Sequence, residues 1–475
     1  MIRASLCLAV WREGSFLKGS ERMSKELFDR GESASDRNEL RTKSEGGIPR
    51  LRKPERHQVE MQFLSLDQLL EPDHPARAIW AAVKRLDLSR WLNLVKAVEG
   101  SAGRAATDPA LLVAVWVYAT VNGVGSARHL ATLCDPVQGQ LGYRWLCGGV
   151  TLNHHTLSDF RVEHGAAWDE LVTQIAGSLM HVGLVTMTRV AQDGMRVEAN
   201  AGKSTFRRRQ TLQQYLEEAK EQVTVLKQLV DEAPQELSQR QIAARERAAR
   251  ERLERIELAI KNCEELQGRR EKRAEVDCKP AKEARASTSD PDARNMKFPN
   301  GGYGPGHNVQ YCTDVASGVI VGVAITNAGS DSQQCPPMLE QLRHRYDRIP
   351  GEILIDGGFV SRDTIDVAEA RGCKVYAPVK EEQKQRAAGK DPFAKKPGDS
   401  PAVARWRERM GTDLAKMIYK ERCESAEWVN AQARNRGFYT MPVRGLPKCR
   451  TIAVLYAIAH NILQSIKLRT QAAAG

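Results

Sequence analysis

The stretch Ile353-Leu354-Ile355-Asp356-Gly357-Gly358-Phe359 places three apolar residues directly before a carboxylate and two glycines. This order is typical of a buried strand that ends at a turn and leaves an acidic side chain at its carboxyl edge. In open α/β sheets, ligands and catalytic groups collect at that edge. Acidic residues are also common turn formers, so this stretch by itself predicts a strand end and leaves a catalytic role open.

Two other segments add carboxylates to this predicted edge. Residues 188–194 repeat the pattern of an apolar strand followed by Asp-Gly, which predicts that Asp193 closes a strand and that residues 195–200 form the returning strand. Glu427 lies on a predicted helix, and Arg434 lies seven residues on, two turns away on the same face, where it could hold a DNA backbone. Three carboxylates from separate elements make a metal site the leading hypothesis.

The chemistry of such a site follows from its ligands. Hard divalent cations such as Mg²⁺ prefer carboxylate oxygens. Two ions held by Asp193, Asp356 and Glu427 can activate a water or a sugar hydroxyl and stabilise the leaving oxygen in phosphodiester displacement. Asp193 and Asp356, at the ends of neighbouring strands, would bridge the ions, and Glu427 would close the site from its helix.

Composition limits the class of protein. With 475 residues, 41% of them hydrophobic and 27% charged, the chain has the length and composition of a soluble protein of two or three domains. Its 71 Lys and Arg against 59 Asp and Glu give a net charge of +12, which favours a polyanionic partner such as nucleic acid without proving one. Apolar runs are too short to predict a membrane span or a signal peptide. Ten scattered cysteines without a C-x-x-C pair predict reduced thiols in a cytoplasmic protein.

The pattern along the chain predicts four segments. Residues 1–55 mix charges, Ser and Gly with few apolar residues, which predicts a disordered extension. Residues 60–180 predict short helices joined by glycine turns, a helix-turn-helix-like module in which Arg161 could face DNA phosphates; a purely structural helical domain is an equal alternative. Residues 185–470 predict an α/β domain. Within it, residues 206–285 predict a helical, coiled-coil-like insertion, for which a solvated charged face is favoured over a DNA-gripping arm.

Three smaller expectations concern elements around the predicted site. Asp331 is predicted to begin and cap a helix, which is favoured over a role near the metal. Residues 380–405 are polar, basic and rich in Pro and Gly, which predicts a loop. Residues 452–466 predict a strongly apolar helix that packs in the core.

Several motifs occur together in this sequence. They are Thr156-Leu157-Ser158-Asp159-Phe160-Arg161, Ala191-Gln192-Asp193-Gly194, Asp290-Pro291-Asp292-Ala293-Arg294, Gly306-His307-Asn308-Val309-Gln310, and the set Tyr419, Arg422 and Glu427. On these motifs, the chain from about Leu64 to its end resembles the DDE transposases of bacterial insertion sequences, in the branch marked by a Tyr-Arg-Glu signature. The ensemble is specific, although each motif alone is weak.

The resemblance implies roles for individual residues. The catalytic carboxylates of the family fall on Asp193, Asp356 and Glu427, and Tyr419 and Arg422 match the rest of the signature, with a role in DNA binding. Four residues separate Arg422 from Glu427, one more than is usual, so Glu427 is the less secure match. A further basic residue, Arg434, stands where the signature usually has Lys.

The resemblance also implies a fold and an activity. It implies a ribonuclease-H-like catalytic domain interrupted by a helical insertion and preceded by an all-helical DNA-binding domain. Such an enzyme would use two Mg²⁺ or Mn²⁺ ions to nick double-stranded DNA at the terminal repeats of its element, and the exposed 3′-hydroxyl would attack target DNA. A homodimer on paired DNA ends, located with the bacterial nucleoid in the cytoplasm, is expected. Two alternatives remain: a stand-alone metal-dependent endonuclease, and a DNA-binding protein that has lost catalysis.

Overall fold

The computed structural model describes residues 63–98, 100, 102, 105–232 and 239–474, so the predicted extension at 1–55 lies outside the described residues. Helices and strands are numbered here in chain order. The described part before the sheet contains only helices: α1 (Leu66–Leu69), α2 (Pro75–Val83), α3 (Ser89–Leu92), α4 (Pro109–Val121), α5 (Ala127–Leu133), α6 (Leu141–Cys147), α7 (His154–Glu163) and α8 (Gly165–His181).

Local sequence explains where the central helix of this part begins. The Asp108 side chain accepts a hydrogen bond from the Ala110 amide, and Pro109 occupies the first turn, where its missing N–H costs nothing. Helix α4 is then buried from Pro109 to Ala119. A helix that is apolar on every side needs neighbours all round, and α2, α6, α7 and the carboxyl-terminal helix pack against it.

The sheet that follows has six strands in the order β4-β5-β1-β7-β8, with β6 also paired to β5. The strands are β1 (Arg189–Glu198), β4 (Arg294–Lys297), β5 (Tyr303–Asp314), β6 (Ile320–Thr326), β7 (Glu352–Ile355) and β8 (Lys374–Tyr376). Strand β5 runs antiparallel to both β1 and β6, whereas β7 is parallel to β1 and β8 is parallel to β7. Two short strands, β2 (Phe206–Arg207) and β3 (Ala286–Ser287), pair separately.

The remaining helices lie between these strands or after them in the chain. They are α9 (Arg209–Glu232), α10 (Gln239–Asp277), α11 (Cys335–Tyr346), α12 (Arg362–Ala370), α13 (Glu382–Ala387), α14 (Pro401–Met410), α15 (Asp413–Arg422), α16 (Trp428–Asn435) and α17 (Leu446–Ala474), with a π-helical turn (Cys423–Glu427) between α15 and α16. Helices α9 and α10 pack against each other in the segment predicted as an insertion.

Helix α17 joins the helical part and the sheet into one core. It packs against α4 and α8 and also against β6. The Asn461 amide binds both backbone groups of Ile320, and the Tyr311 hydroxyl donates to the Ala453 carbonyl at 3.0 Å. Among the described helices, α17 is also the one long and apolar enough to cross a membrane by length and composition alone, and 67% of that apolar window is buried in the structure.

Three expectations from the sequence are wrong. Residues 195–200 are no returning strand, because β1 continues through Asp193 and Gly194 and pairs with β5 from Val190 to Glu198. Residues 380–405 are not simply a loop, since they contain α13 and the start of α14, which is capped by the Ser400 hydroxyl. Asp331 caps no helix, because α11 begins four residues later, at Cys335.

Burial of His460 on α17 predicts a pH-dependent stability. The residue is 3% exposed, Nε2 lies 2.9 Å from the Gly318 carbonyl oxygen, and burial lowers the pKa of His460 to about 4. Because the folded-state pKa lies below the unfolded value, the unfolded chain binds more protons between the two, so stability falls as the pH drops from about 6.5 to 4. We expect the His460→Gln variant to lose about 2–3 kcal/mol less than the wild type over this window in urea titrations. Equal losses in both proteins would contradict this assignment.

Candidate active site

Asp193 on β1 and Asp356, directly after β7, lie at matching positions. Gln192 on β1 is paired in parallel register with Ile355, the last residue of β7. The next residue on each chain is an aspartate, and the spacing between paired strands is about 4.8 Å. Asp356 is exposed, and one of its carboxylate oxygens accepts the Gly357 amide. This register places the two aspartates next to each other at the end of β7.

Arg422 bridges the carboxylates of Asp193 and Glu427. Its guanidinium lies 3.1 Å from Asp193 Oδ1 and 2.7 Å from Glu427 Oε1. Asp193 also accepts hydrogen bonds from the Asn430 side chain at 2.9 Å and from the Gly194 amide at 2.9 Å. The Arg422 side chain is 9% exposed, so this cation is set mostly inside the protein between the carboxylates from β1 and the π-helical turn.

The electrostatics agree with this arrangement. Burial raises the pKa of Asp193, and the Arg422 charge opposes that rise. Burial alone would lower the pKa of Arg422, but the charges of Asp193, Asp356 and Glu427, together with the nearby Tyr419, outweigh it and hold that pKa above its usual range. Burial, with Asp356 and Glu427 nearby, raises the pKa of Tyr419 to about 12. All three predicted carboxylates thus act on Arg422, the residue at the centre of the site.

The π-helical turn explains the unusual spacing between Arg422 and Glu427. In an α-helix, residues four apart share a face, whereas a π turn closes hydrogen bonds between residues five apart. Cys423–Glu427 adopts this wider turn, and its side chains at Ser425 and Ala426 are buried. Arg422 and Glu427 therefore lie on one face although four residues separate them.

A single-residue deletion tests this explanation. Removing the exposed Glu424 should convert the turn to an α-helix and keep Glu427 within reach of Arg422. We expect a folded protein with any DNA cleavage retained within roughly fivefold, about 1 kcal/mol. As a control, deleting the exposed Lys420 from α15 should misplace Tyr419 by about 100° around the helix and abolish cleavage. If the protein without Glu424 does not fold, the explanation that the π-helical turn accommodates one extra residue is wrong.

A polar network lies behind β1, on the side opposite Asp193. Asp331 accepts hydrogen bonds from Asn308 and Gln310, both at 2.7 Å, and its side chain is 13% exposed. A β-carbon at position 194 would lie 2.1 Å from Asp331 Oδ1, so only glycine fits between them. The Asp331 charge is also one of the groups that raise the pKa of Asp193. Asp331 therefore supports the active-site strand.

The donor set suits a hard divalent cation, although the carboxylates do not close around one point. Asp193, Asp356 and Glu427 offer carboxylate oxygens, and the buried Asn430 Oδ1 beside Asp193 has no hydrogen-bond partner. In the described part of the chain, the one trio of Asp, Glu, His or Cys ligand atoms within 4.8 Å of one another is Asp290, His307 and Cys449. The three predicted ligands are therefore more widely spaced, with the Arg422 guanidinium between Asp193 and Glu427.

The residues expected to contact DNA have different surroundings. Arg434 is exposed on α16, and Tyr419 is half-buried beside the carboxylates. Arg422 is occupied by two carboxylates, so this geometry does not present it to DNA. Arg161 is buried, with Nη1 donating to the Gly125 carbonyl at 2.6 Å and its guanidinium over the Trp116 ring. It does not lie on the open phosphate-facing surface that the sequence suggested.

The sequence argument missed Asn430 and preferred a helix cap as the role of Asp331. Asn430 lies three residues after Glu427 and so shares its helical face, a spacing that would have identified it. Asp331 gave no such signal, because its partners Asn308 and Gln310 come from another strand.

Two protein-family models match the chain. The Transposase domain (DUF772) model matches residues 64–163, and the Transposase DDE domain model matches residues 279–461. None of the curated proteins and none of the solved structures compared with the chain matches it. The two family matches support a DDE transposase, a class that acts on DNA and in general uses divalent metal ions. Asp356, Arg422 and Glu427 lie inside the second matched range, whereas Asp193 lies between the two ranges and depends on its geometry alone.

Proposed function

We propose that this protein is an insertion-sequence transposase that binds the terminal repeats of its element, cleaves DNA at the element's ends and joins them to target DNA. The observation that carries this proposal is the register that brings Asp193 and Asp356 side by side on β1 and β7. The family matches supply the transposase class, and the positive net charge of +12 suits DNA as the partner.

The strand order supports a ribonuclease-H-like catalytic domain. Three antiparallel strands, β6, β5 and β1, are followed across the sheet by β7 and β8, which run parallel to β1. In this arrangement Asp193 comes from the central strand, Asp356 from its parallel neighbour, and Glu427 from the helical segment after the sheet. Helices α9 and α10, between β2 and β3, would be the insertion within this domain.

Asp193, Asp356 and Glu427 would hold the Mg²⁺ or Mn²⁺ ions, two in our proposal. Ions bound there supply charge stabilisation at the scissile phosphate and activation of the attacking oxygen. The protein fixes where the ligands stand: β1 and β7 fix the two aspartates, and Arg422 and Asn430 orient Asp193. Arg422 also forms ion pairs with Asp193 and Glu427. Arg434 and Tyr419 would contact the DNA backbone beside the scissile phosphate.

A plasmid assay tests the proposal. Full-length protein is incubated with supercoiled DNA carrying the sequences that flank its coding region, with Mg²⁺, Mn²⁺ or EDTA, and with scrambled flanks as the control. We expect metal-dependent nicks with 3′-hydroxyls at the element's ends, followed by joined products. Cutting without any joined product would favour a stand-alone endonuclease, and DNA binding without cutting would contradict an enzyme. Pairing of two ends by a homodimer would appear as a complex with two DNA molecules.

In the cell we expect the protein with the nucleoid, in the bacterial cytoplasm.

A further inference from the structure

Arg161 on α7 is a buried cation without a counter-charge. The residue is 4% exposed, and burial alone lowers the pKa of its guanidinium to about 10, with no acidic group contributing among the described residues. Its contacts are the Gly125 carbonyl at 2.6 Å and the Trp116 ring, whose centroid lies 4.3 Å away. Nε has no hydrogen-bond partner. The free energy gained from one carbonyl and one aromatic ring is smaller than the free energy that desolvation of a full charge costs.

A second arginine faces the same cavity. Arg436, in the loop after α16, lines with Arg161 a cavity of about 120 Å³, and its Nη1 is buried without a hydrogen-bond partner. The other residues around the cavity are apolar or glycine except for the hydroxyl-bearing Thr120, Thr440 and Tyr456. The Thr120 hydroxyl donates to the Trp116 carbonyl at 2.8 Å, and the Tyr456 hydroxyl donates to the Val429 carbonyl at 3.4 Å. The lining therefore offers two cations with the Thr440 hydroxyl beside them, and it contains no carboxylate.

The rim of the cavity is formed partly by glycines, and solvent can reach it. Gly123, Gly125 and Gly437 line it and are all exposed. Gly123 has φ +72°, and a β-carbon there would lie 2.9 Å from the Arg436 carbonyl oxygen, so the two loops meet too closely for a side chain. The volume is comparable with a cavity of roughly 150 Å³ that holds a benzene-sized ligand, which is ample for a phosphate group.

We propose that the cavity between Arg161 and Arg436 is an oxyanion site that takes a phosphate group. Guanidinium groups pair with phosphate through parallel N–H donors, and a phosphate would supply the negative charge that balances the two arginines. The phosphate belongs either to a DNA backbone or to free inorganic phosphate, and the chemistry of the site is the same for both. The site is separate from Asp193, Asp356 and Glu427, so it does not rest on the proposed cleavage reaction.

Titration with inorganic phosphate tests the site. Thermal unfolding of the full chain is followed as phosphate replaces chloride at constant ionic strength. We expect saturable stabilisation of the wild type, and at least a tenfold higher half-saturation concentration in Arg161→Gln and Arg436→Gln. Arg128→Gln, which changes an exposed arginine on α5, is the matched control and should behave as the wild type. If Arg161→Gln does not fold, Arg436→Gln carries the test, because Arg436 is only partly buried.

Measurements of DNA binding by the same variants identify the source of the phosphate. If a DNA phosphate occupies the cavity, both variants should bind duplex DNA more weakly whatever its sequence, with a salt dependence smaller by about one phosphate contact, and inorganic phosphate should compete. If free phosphate occupies it, the variants should bind DNA as the wild type does. No saturable phosphate effect together with unchanged DNA affinity would overturn the proposal. Asp193→Asn should still bind phosphate, so failure of this site and failure of the transposase assignment are distinguishable.

Discussion

Replacing Asp193 with Asn is expected to lower metal-dependent DNA cleavage by roughly 10³-fold or more, equivalent to about 4 kcal/mol of transition-state stabilisation. The substitution keeps the size of the side chain and its contact with Asn430 while removing one charged oxygen that would bind the ion. DNA affinity should change little, because Asp193 is mostly buried and its negative charge makes no favourable contact with phosphates. Asp356→Asn should give a loss of similar size, since the two aspartates occupy matching positions on β1 and β7.

The matched control is Asp347→Asn. It makes the same chemical change at an exposed residue at the end of α11, where the left-handed backbone (φ 49°) tolerates Asn. Cleavage by this variant should equal that of the wild type. Thermal unfolding of each variant separates lost chemistry from lost structure. Full cleavage by folded Asp193→Asn protein would remove Asp193 from the metal site, leaving it as a strand residue that holds Arg422.

Of the two strand ends that the sequence predicted at the site, the one before Asp356 is correct and the one at Asp193 is wrong. Ile353, Leu354 and Ile355 form a buried strand that ends before Asp356, as an apolar run followed by Asp-Gly suggests. The same pattern failed at Asp193-Gly194, where the strand continues. The reason is tertiary: β5 supplies hydrogen bonds along the whole of β1, and the side chain of Asp331 fills the space that Gly194 leaves. Nothing local in the sequence encodes either contact.

The surroundings of the basic residues were also beyond a sequence argument. A positive charge on a predicted helix suggests a DNA contact, and Arg434 is exposed. Whether such a residue is exposed depends on what packs against its helix. Arg161 is covered by the loops around Gly125 and Gly437, and Arg422 is drawn inward by two carboxylates. Likewise, the extra residue before Glu427 is visible in the sequence, but the π-helical turn that absorbs it is not.

Replacing Arg422 with Met should destabilise the protein by about 2–3 kcal/mol, because it leaves the mostly buried Asp193 carboxylate with only neutral hydrogen-bond donors. The double variant Asp193→Asn/Arg422→Met should recover part of that loss, since the carboxylate left without a counter-charge is then gone. Urea unfolding of the four proteins in this cycle measures the coupling. Arg343→Met, which breaks an exposed ion pair with Glu340 on α11, is the control and should have no measurable effect.

The same variant distinguishes a role for Arg422 in the metal site from ordinary packing. If the guanidinium neutralises Asp193 and Glu427 while no ion is bound, it competes with the ion for those carboxylates. Mg²⁺ should then stabilise Arg422→Met more than it stabilises the wild type, and at lower concentration, because the ion no longer displaces a cation. Cleavage should still fall, since Asp193 loses the partner that orients it. An equal Mg²⁺-induced shift in the unfolding temperature of both proteins would show that Arg422 acts only as a structural ion pair.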